Sequence, residues 1–266
     1  MERTKKVGLN AIFLTVTLIV NALGAFGLIN GTSQSDVSNK YFTLITPSGP
    51  TFSIWSVIYG LLIISLIMMY VKRNNDYYQR VIDSITPLFI LTCILNVIWI
   101  VLFSFELVAL STLFIFGYAI GLTLICQNLL KIHDNSSWLL PVTFGLYTGW
   151  LLIATVVNIA ASLVKLGWNG FGLPDSLWAI IILIAALVII LVVQLRTQNA
   201  VLPLSVAWAY YGIYQNLTNT HEGTLAVPRF IAIAGMILLI GFAAVQFYKN
   251  RYEVLPNHGD NRYLND

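Results

Sequence analysis

The feature that most constrains this chain is a series of apolar runs long enough to cross a bilayer. A helical span needs roughly 20 apolar residues at about 1.5 Å per residue. Eight stretches qualify: 8–29, 52–71, 86–105, 107–130, 138–164, 176–195, 200–218 and 228–248. In hydrocarbon no water can satisfy a backbone amide, so each run must close its own hydrogen bonds as a helix. The expected fold is therefore an all-α, polytopic integral membrane bundle of about eight helices. Composition agrees, since 58% of residues are hydrophobic and only 9% are charged, against about a quarter charged in soluble domains. The net charge of +3 says little about partners, because its sign follows from insertion. Membrane lipids are expected as partners and nucleic acid is not.

Residues 86–130 are too long for one span, and Glu106 is the only acid among them, so the chain is expected to turn there. A connection that short makes the two flanking helices antiparallel neighbours. Lys and Arg set the orientation. With the N-terminus inside, the inner set is Arg3, Lys5, Lys6, Lys72, Arg73, Arg80, Lys131, Arg196, Lys249, Arg251 and Arg262, and the outer set is Lys40, Lys165 and Arg229. This alternation predicts a multi-pass protein of the cell membrane with both termini cytoplasmic. The opening MERTKK and the run behind it read as an uncleaved anchor helix, because the run is long for a signal peptide. Residues 30–40 read as a polar outer loop and 251–266 as a disordered cytoplasmic tail.

Ionisable residues stay out of the apolar runs, and Glu106 and Arg229 near the outer surface read as interfacial. Proton relays and ion-coupled carriers place such groups inside the membrane. A proton-driven pump or a carrier of charged substrates is therefore not expected, whereas a facilitator for neutral or amphipathic molecules stays open. No catalytic residue is indicated. His133, His221 and His258 are scattered, Cys93 and Cys126 sit in separate apolar runs, and there is no phosphate loop or GxSxG. Neither an enzyme nor a metal site is expected, although ligand breakdown in a Trp-lined pocket stays open. The Asn-x-Ser/Thr triplets at Asn30, Asn135 and Asn216 are short enough to be chance.

The informative residues are uncharged polar and aromatic ones inside the spans. In YTGWLLIATVVN, Tyr147, Trp150, Ala154 and Asn158 fall on one helical face. Asn96, Trp99 and Phe103 do the same in LNVIWIVLF, and Trp55 and Tyr59 in FSIWSVIYG. A carboxamide in hydrocarbon must face protein, water or a ligand, so each Asn reads either as interhelical glue or as a ligand contact. Trp138, Trp168 and Trp178 lie near span ends and read as belt residues. Trp99 and Trp150 lie too deep for that, which leaves packing or a pocket. In the run 200–218, Trp208, Tyr211 and Gln215 share a face beside Tyr210 and Tyr214, either as a second pocket wall or as a packing face. Its opening LPLSVAWAYYG weakly echoes LPVTFGLYTGW.

Three of these segments resemble the TspO/translocator-protein family, also called tryptophan-rich sensory proteins or peripheral-type benzodiazepine receptors. TPSGPTFSIWSVIY carries Phe52, Trp55 and Tyr59 in the spacing of the family's second helix. Leu95, Asn96, Trp99 and Phe103 match the third, and Tyr147, Trp150, Ala154 and Asn158 the fifth. Leu146 and Val101 stand where the family has proline, and the prolines of the second-helix motif are displaced to Pro47 and Pro50. The resemblance implies a five-helix TspO-like unit over 1–165, with three additional helices over 166–250. It implies a flat hydrophobic ligand, tetrapyrrole-like or another lipophile, in a sensory or transport-related role; a facilitator for a neutral solute is the alternative. The residues that would line the pocket are Trp55, Tyr59, Asn96, Trp99, Tyr147, Trp150, Ala154 and Asn158. No cofactor is implied beyond such a ligand, and a homodimer is left open.

Overall fold

The computed structural model describes residues 2–134, 137–220 and 225–256. Asn135, His221, His258 and the tail from residue 257 onward lie outside the described residues.

The chain forms α1 (Arg3–Ala25), α2 (Gln34–Lys40), a 3-10 turn (Gly49–Ser53) leading into α3 (Ile54–Val71), α4 (Asp76–Ser104), α5 (Val108–Ile132) and α6 (Leu139–Lys165). A second 3-10 turn (Gly170–Gly172) is followed by α7 (Asp175–Thr197), α8 (Leu202–Asn219) and α9 (Ala226–Lys249). Each of the eight expected runs is one long helix, and among the described residues there is no strand. The protein is a polytopic helical membrane bundle. Seven helices among the described residues are long and apolar enough to cross a membrane; α8 is the exception. Its 18 residues include Ser205, Trp208, three tyrosines, Gln215 and Asn216, which dilute its hydropathy. It tolerates them because it is an inner helix, with Leu202, Val206, Tyr210, Ile213 and Leu217 all buried.

The expected outer loop over 30–40 contains the short helix α2. A capping box starts it: the Ser33 hydroxyl accepts the Asp36 N–H at 3.1 Å, and the Asp36 carboxylate accepts the Ser33 N–H at 2.9 Å. Seven residues without an apolar run leave no hydrophobic period to detect. The turn at Glu106 is where the lone acid predicts it. Glu106 adopts φ 57°, and the Leu107 N–H reaches back to the Leu102 carbonyl at 2.9 Å. This reverses the chain tightly enough to pack α4 and α5 side by side.

Several helices outrun the bilayer. The 29 residues of α4 span about 44 Å at 1.5 Å each, against about 30 Å of hydrocarbon. The excess carries charge at the end opposite Glu106. Arg80 donates to Asp134 at 2.9 Å and Arg3 to Asp83 at 3.0 Å, with Lys6 also on Asp83. At that same end, residues 251–256 are ordered rather than forming the start of a disordered tail. The Ala200 N–H bonds the Val254 carbonyl at 2.9 Å, and Leu255 is fully buried. Burying a leucine and pairing backbone groups overcomes the polar composition of the segment.

Helices α6 and α8 approach most closely at Gly149, where a Cβ would overlap the Leu202 carbonyl and Ser205 Oγ. The glycine lets α6 and α8 pack backbone to backbone, so the cavity described below is built into one continuous bundle.

Candidate functional site

Helical periodicity places Trp55, Trp99 and Trp150 on α3, α4 and α6, and the bundle turns all three toward one another. Trp55 is the hub. Its ring lies 6.5 Å from Trp99, 6.2 Å from Trp150 and 6.1 Å from Tyr147, and stacks on Tyr59 at 5.2 Å. Phe52, on the 3-10 turn before α3, stands edge-on to Trp150 at 5.8 Å. Edge-to-face arrays of this kind hold aromatic groups in fixed orientations.

Phe52 and the three indoles wall a cavity of about 360 Å³ at the Glu106 end of the bundle. The wall includes Phe52, Trp55, Trp99, Trp150, Ala154 and Asn158, and α2 contributes Gln34, Ser35, Ser38 and Asn39 along one side. No Asp, Glu, Lys, Arg or His lines it. Ala154 sits one turn along from Trp150, where its small side chain leaves room. The cavity is therefore aromatic in its depth, with uncharged polar groups toward α2.

Five of the eight residues expected from the sequence line this cavity: Trp55, Trp99, Trp150, Ala154 and Asn158. Tyr59, Asn96 and Tyr147 do not: Tyr59 and Asn96 belong to a hydrogen-bonded chain between helices, and Tyr147 packs its ring against Trp55 and Tyr118. Tyr59 OH donates to Asn21 Oδ1 at 2.8 Å, Asn21 Nδ2 to Asn96 Oδ1 at 2.5 Å, and Asn96 Nδ2 to Tyr118 OH at 3.2 Å. The Tyr118 ring then meets Tyr147 edge-on at 5.7 Å. This chain joins α1, α3, α4, α5 and α6, so Asn96 is an interhelical bond and the floor under the cavity. Asn158 does both jobs. Its Oδ1 accepts the Trp99 Nε1–H at 3.1 Å and its Nδ2 donates to Thr112 Oγ1 at 2.7 Å, while the residue still borders the cavity.

Two donors near the cavity remain unmatched. Trp150 Nε1 and Gln34 Nε2 are buried without a hydrogen-bond partner among the described residues. Sequence reasoning did not select Phe52 for the pocket, although it stands in the quoted motif, and it missed α2, Asn21 and Tyr118. Asn21 carried a usable signal, as a carboxamide within an apolar run. The short polar helix carried none.

At the rim, Lys40 Nζ bonds both Glu106 oxygens at 2.8 and 2.6 Å, and Tyr41 OH donates to the same carboxylate at 2.8 Å. The Lys40 and Tyr41 donors hold the Glu106 carboxyl below the usual carboxylate range, and Glu106 in turn raises the Lys40 ammonium. This ion pair ties α2, which covers the cavity, to the α4–α5 turn. Cys93 and Cys126 are free and buried, and no group of three His, Cys, Asp or Glu among the described residues could hold a metal ion.

The profile of the family described as TSPO-like protein matches residues 7–247. No curated protein and no solved structure matches the chain. The matched region includes all three aromatic motifs and continues through α7 and α8 into α9.

Proposed function

Because this chain belongs to the TSPO-like protein family, we propose that it is a TspO-type membrane protein that binds a flat hydrophobic ligand, tetrapyrrole-like or another lipophile, for sensing or transport. The observation that carries this reading is the cavity of about 360 Å³ between α2, α3, α4 and α6, walled by Phe52, Trp55, Trp99 and Trp150 with no ionisable side chain. That volume is in the range of small-molecule sites, which are mostly apolar with a few placed polar groups. Indole faces stack on a planar ring system. The unpaired donors Trp150 Nε1 and Gln34 Nε2 suit a ligand with a few hydrogen-bond acceptors. Trp55, Trp99, Trp150, Ala154 and Asn158 are the proposed contact residues, while Tyr59, Asn96 and Tyr147 support them from below. In this reading residues 1–165 form the ligand-binding unit, 166–250 a supporting unit, and both termini are cytoplasmic.

The test is a titration of purified protein with protoporphyrin, read by quenching of tryptophan fluorescence. Saturable quenching should be lost in Trp150→Leu and Trp99→Leu, and also in Ala154→Phe, which fills the cavity without removing an indole. Quenching that survives all three places the porphyrin elsewhere and sinks the proposal. Counterflow of a neutral solute in liposomes without porphyrin quenching favours a facilitator instead.

A further inference from the structure

Helices α7–α9 contribute no residue to the cavity wall. Yet α8 grips one segment of that wall. Residues 46–53 run along the cavity and supply Thr46, Pro47, Gly49 and Phe52 to its wall. Four hydrogen bonds tie the back of this segment to α8. Trp208 Nε1 donates to the Thr51 carbonyl at 2.8 Å, and Asn216 Nδ2 donates to the Thr46 carbonyl at 2.8 Å. The Ser48 N–H donates to the Gly212 carbonyl at 3.0 Å, and the Ser48 hydroxyl to Gln215 Oε1 at 3.1 Å.

Trp208, Gly212, Gln215 and Asn216 fall at i, i+4, i+7 and i+8, one continuous stripe of the helix. The glycine is required by proximity, since a Cβ at Gly212 would overlap Thr51 Oγ1. The aromatic and polar face of α8 is thus neither a second pocket wall nor a plain packing face. It satisfies the Thr46 carbonyl and the Ser48 N–H, which would be costly to leave unpaired away from water, and adds a second donor to the Thr51 carbonyl, which also accepts the Ile54 N–H.

We propose that Trp208, Gly212, Gln215 and Asn216 are positioning residues for the cavity: by holding residues 46–53 from behind, α8 sets the place of Phe52 against Trp150. The shape of the site is then decided in part by side chains that never meet the ligand. The effect on ligand affinity rests on the function proposed above; the clamp itself does not.

The test uses the full chain in nanodiscs, with Asn216→Ala and Trp208→Phe, and Ser48→Ala as the milder variant should either fail to fold. Hydrogen exchange over 46–53 should quicken about tenfold, as expected for a lost hydrogen bond, while α4 and α5 keep their protection. Protoporphyrin affinity should fall severalfold. In a double-mutant cycle with Phe52→Ala, the losses in affinity should not add, because both changes act through one ring. Unchanged exchange over 46–53, or additive losses, overturns the proposal. If the unmodified protein binds no protoporphyrin, the ligand reading falls, and the exchange measurement alone decides the clamp.

Discussion

Trp99 lines the cavity while its Nε1–H bonds Asn158, so one indole serves both recognition and helix association. Hydrogen bonds between membrane helices contribute about 0.6 kcal/mol on average and up to about 1.7 kcal/mol. A double-mutant cycle of Trp99→Phe and Asn158→Ala, read by unfolding in mixed micelles, should give a coupling energy within that range. Zero coupling would mean that the two side chains do not bond. These residues also show how far a sequence carries. Spacing puts Asn96 and Trp99 on one face of α4, and it was right about the face. It could not say that Asn96 would find Asn21 and Tyr118 as partners while Trp99 met open space. Partners lie on other helices, and no local pattern encodes what stands opposite.

At the scale of elements, the long helices were legible because hydrocarbon imposes one solution on any sufficiently long apolar run. Helix α2 was not, since its apolar contact is the single Val37, buried against Phe103, Val108 and Ala161, with a capping box and the Lys40–Glu106 pair beside it. That pair makes the docking of α2 dependent on pH. Glu106 is depressed, so its contribution is present above the ordinary carboxylate value of about 4.3 and is lost as pH falls through its lower folded value. Lys40 is raised, so its contribution is present below the ordinary lysine value of about 10.4 and is lost as pH rises through its higher folded value. Hydrogen exchange over residues 34–40, corrected for intrinsic rates, should stay flat through neutral pH and quicken in acid. Lys40→Met should exchange faster at neutral pH and show a smaller acid response, the remainder coming from Asp36, which its Ser33 hydrogen bonds hold below the usual carboxylate range. A flat profile in acid for the unmodified chain would show that the pair does not hold α2.

For the whole molecule, Lys40, Lys165 and Arg229 sit at the Glu106 end of the bundle, and the ion pairs of Asp83 and Asp134 at the other. In the proposed orientation the Glu106 end, and the cavity with it, would face outward. An impermeant thiol reagent on intact cells should label Asp36→Cys and leave Lys72→Cys untouched until the membrane is opened; the reverse pattern would invert the topology. The sequence alone determined the all-helical bundle, the positions of its long helices and the turn at Glu106, because burying a polar backbone in lipid allows few alternatives. It also determined which faces carry indole and carboxamide. Only the tertiary structure decided which of those faces enclose a cavity and which fuse into a hydrogen-bonded floor, and that α8 braces residues 46–53. Periodicity is a property of one helix, whereas an empty volume is a property of several helices packed at particular angles and depths.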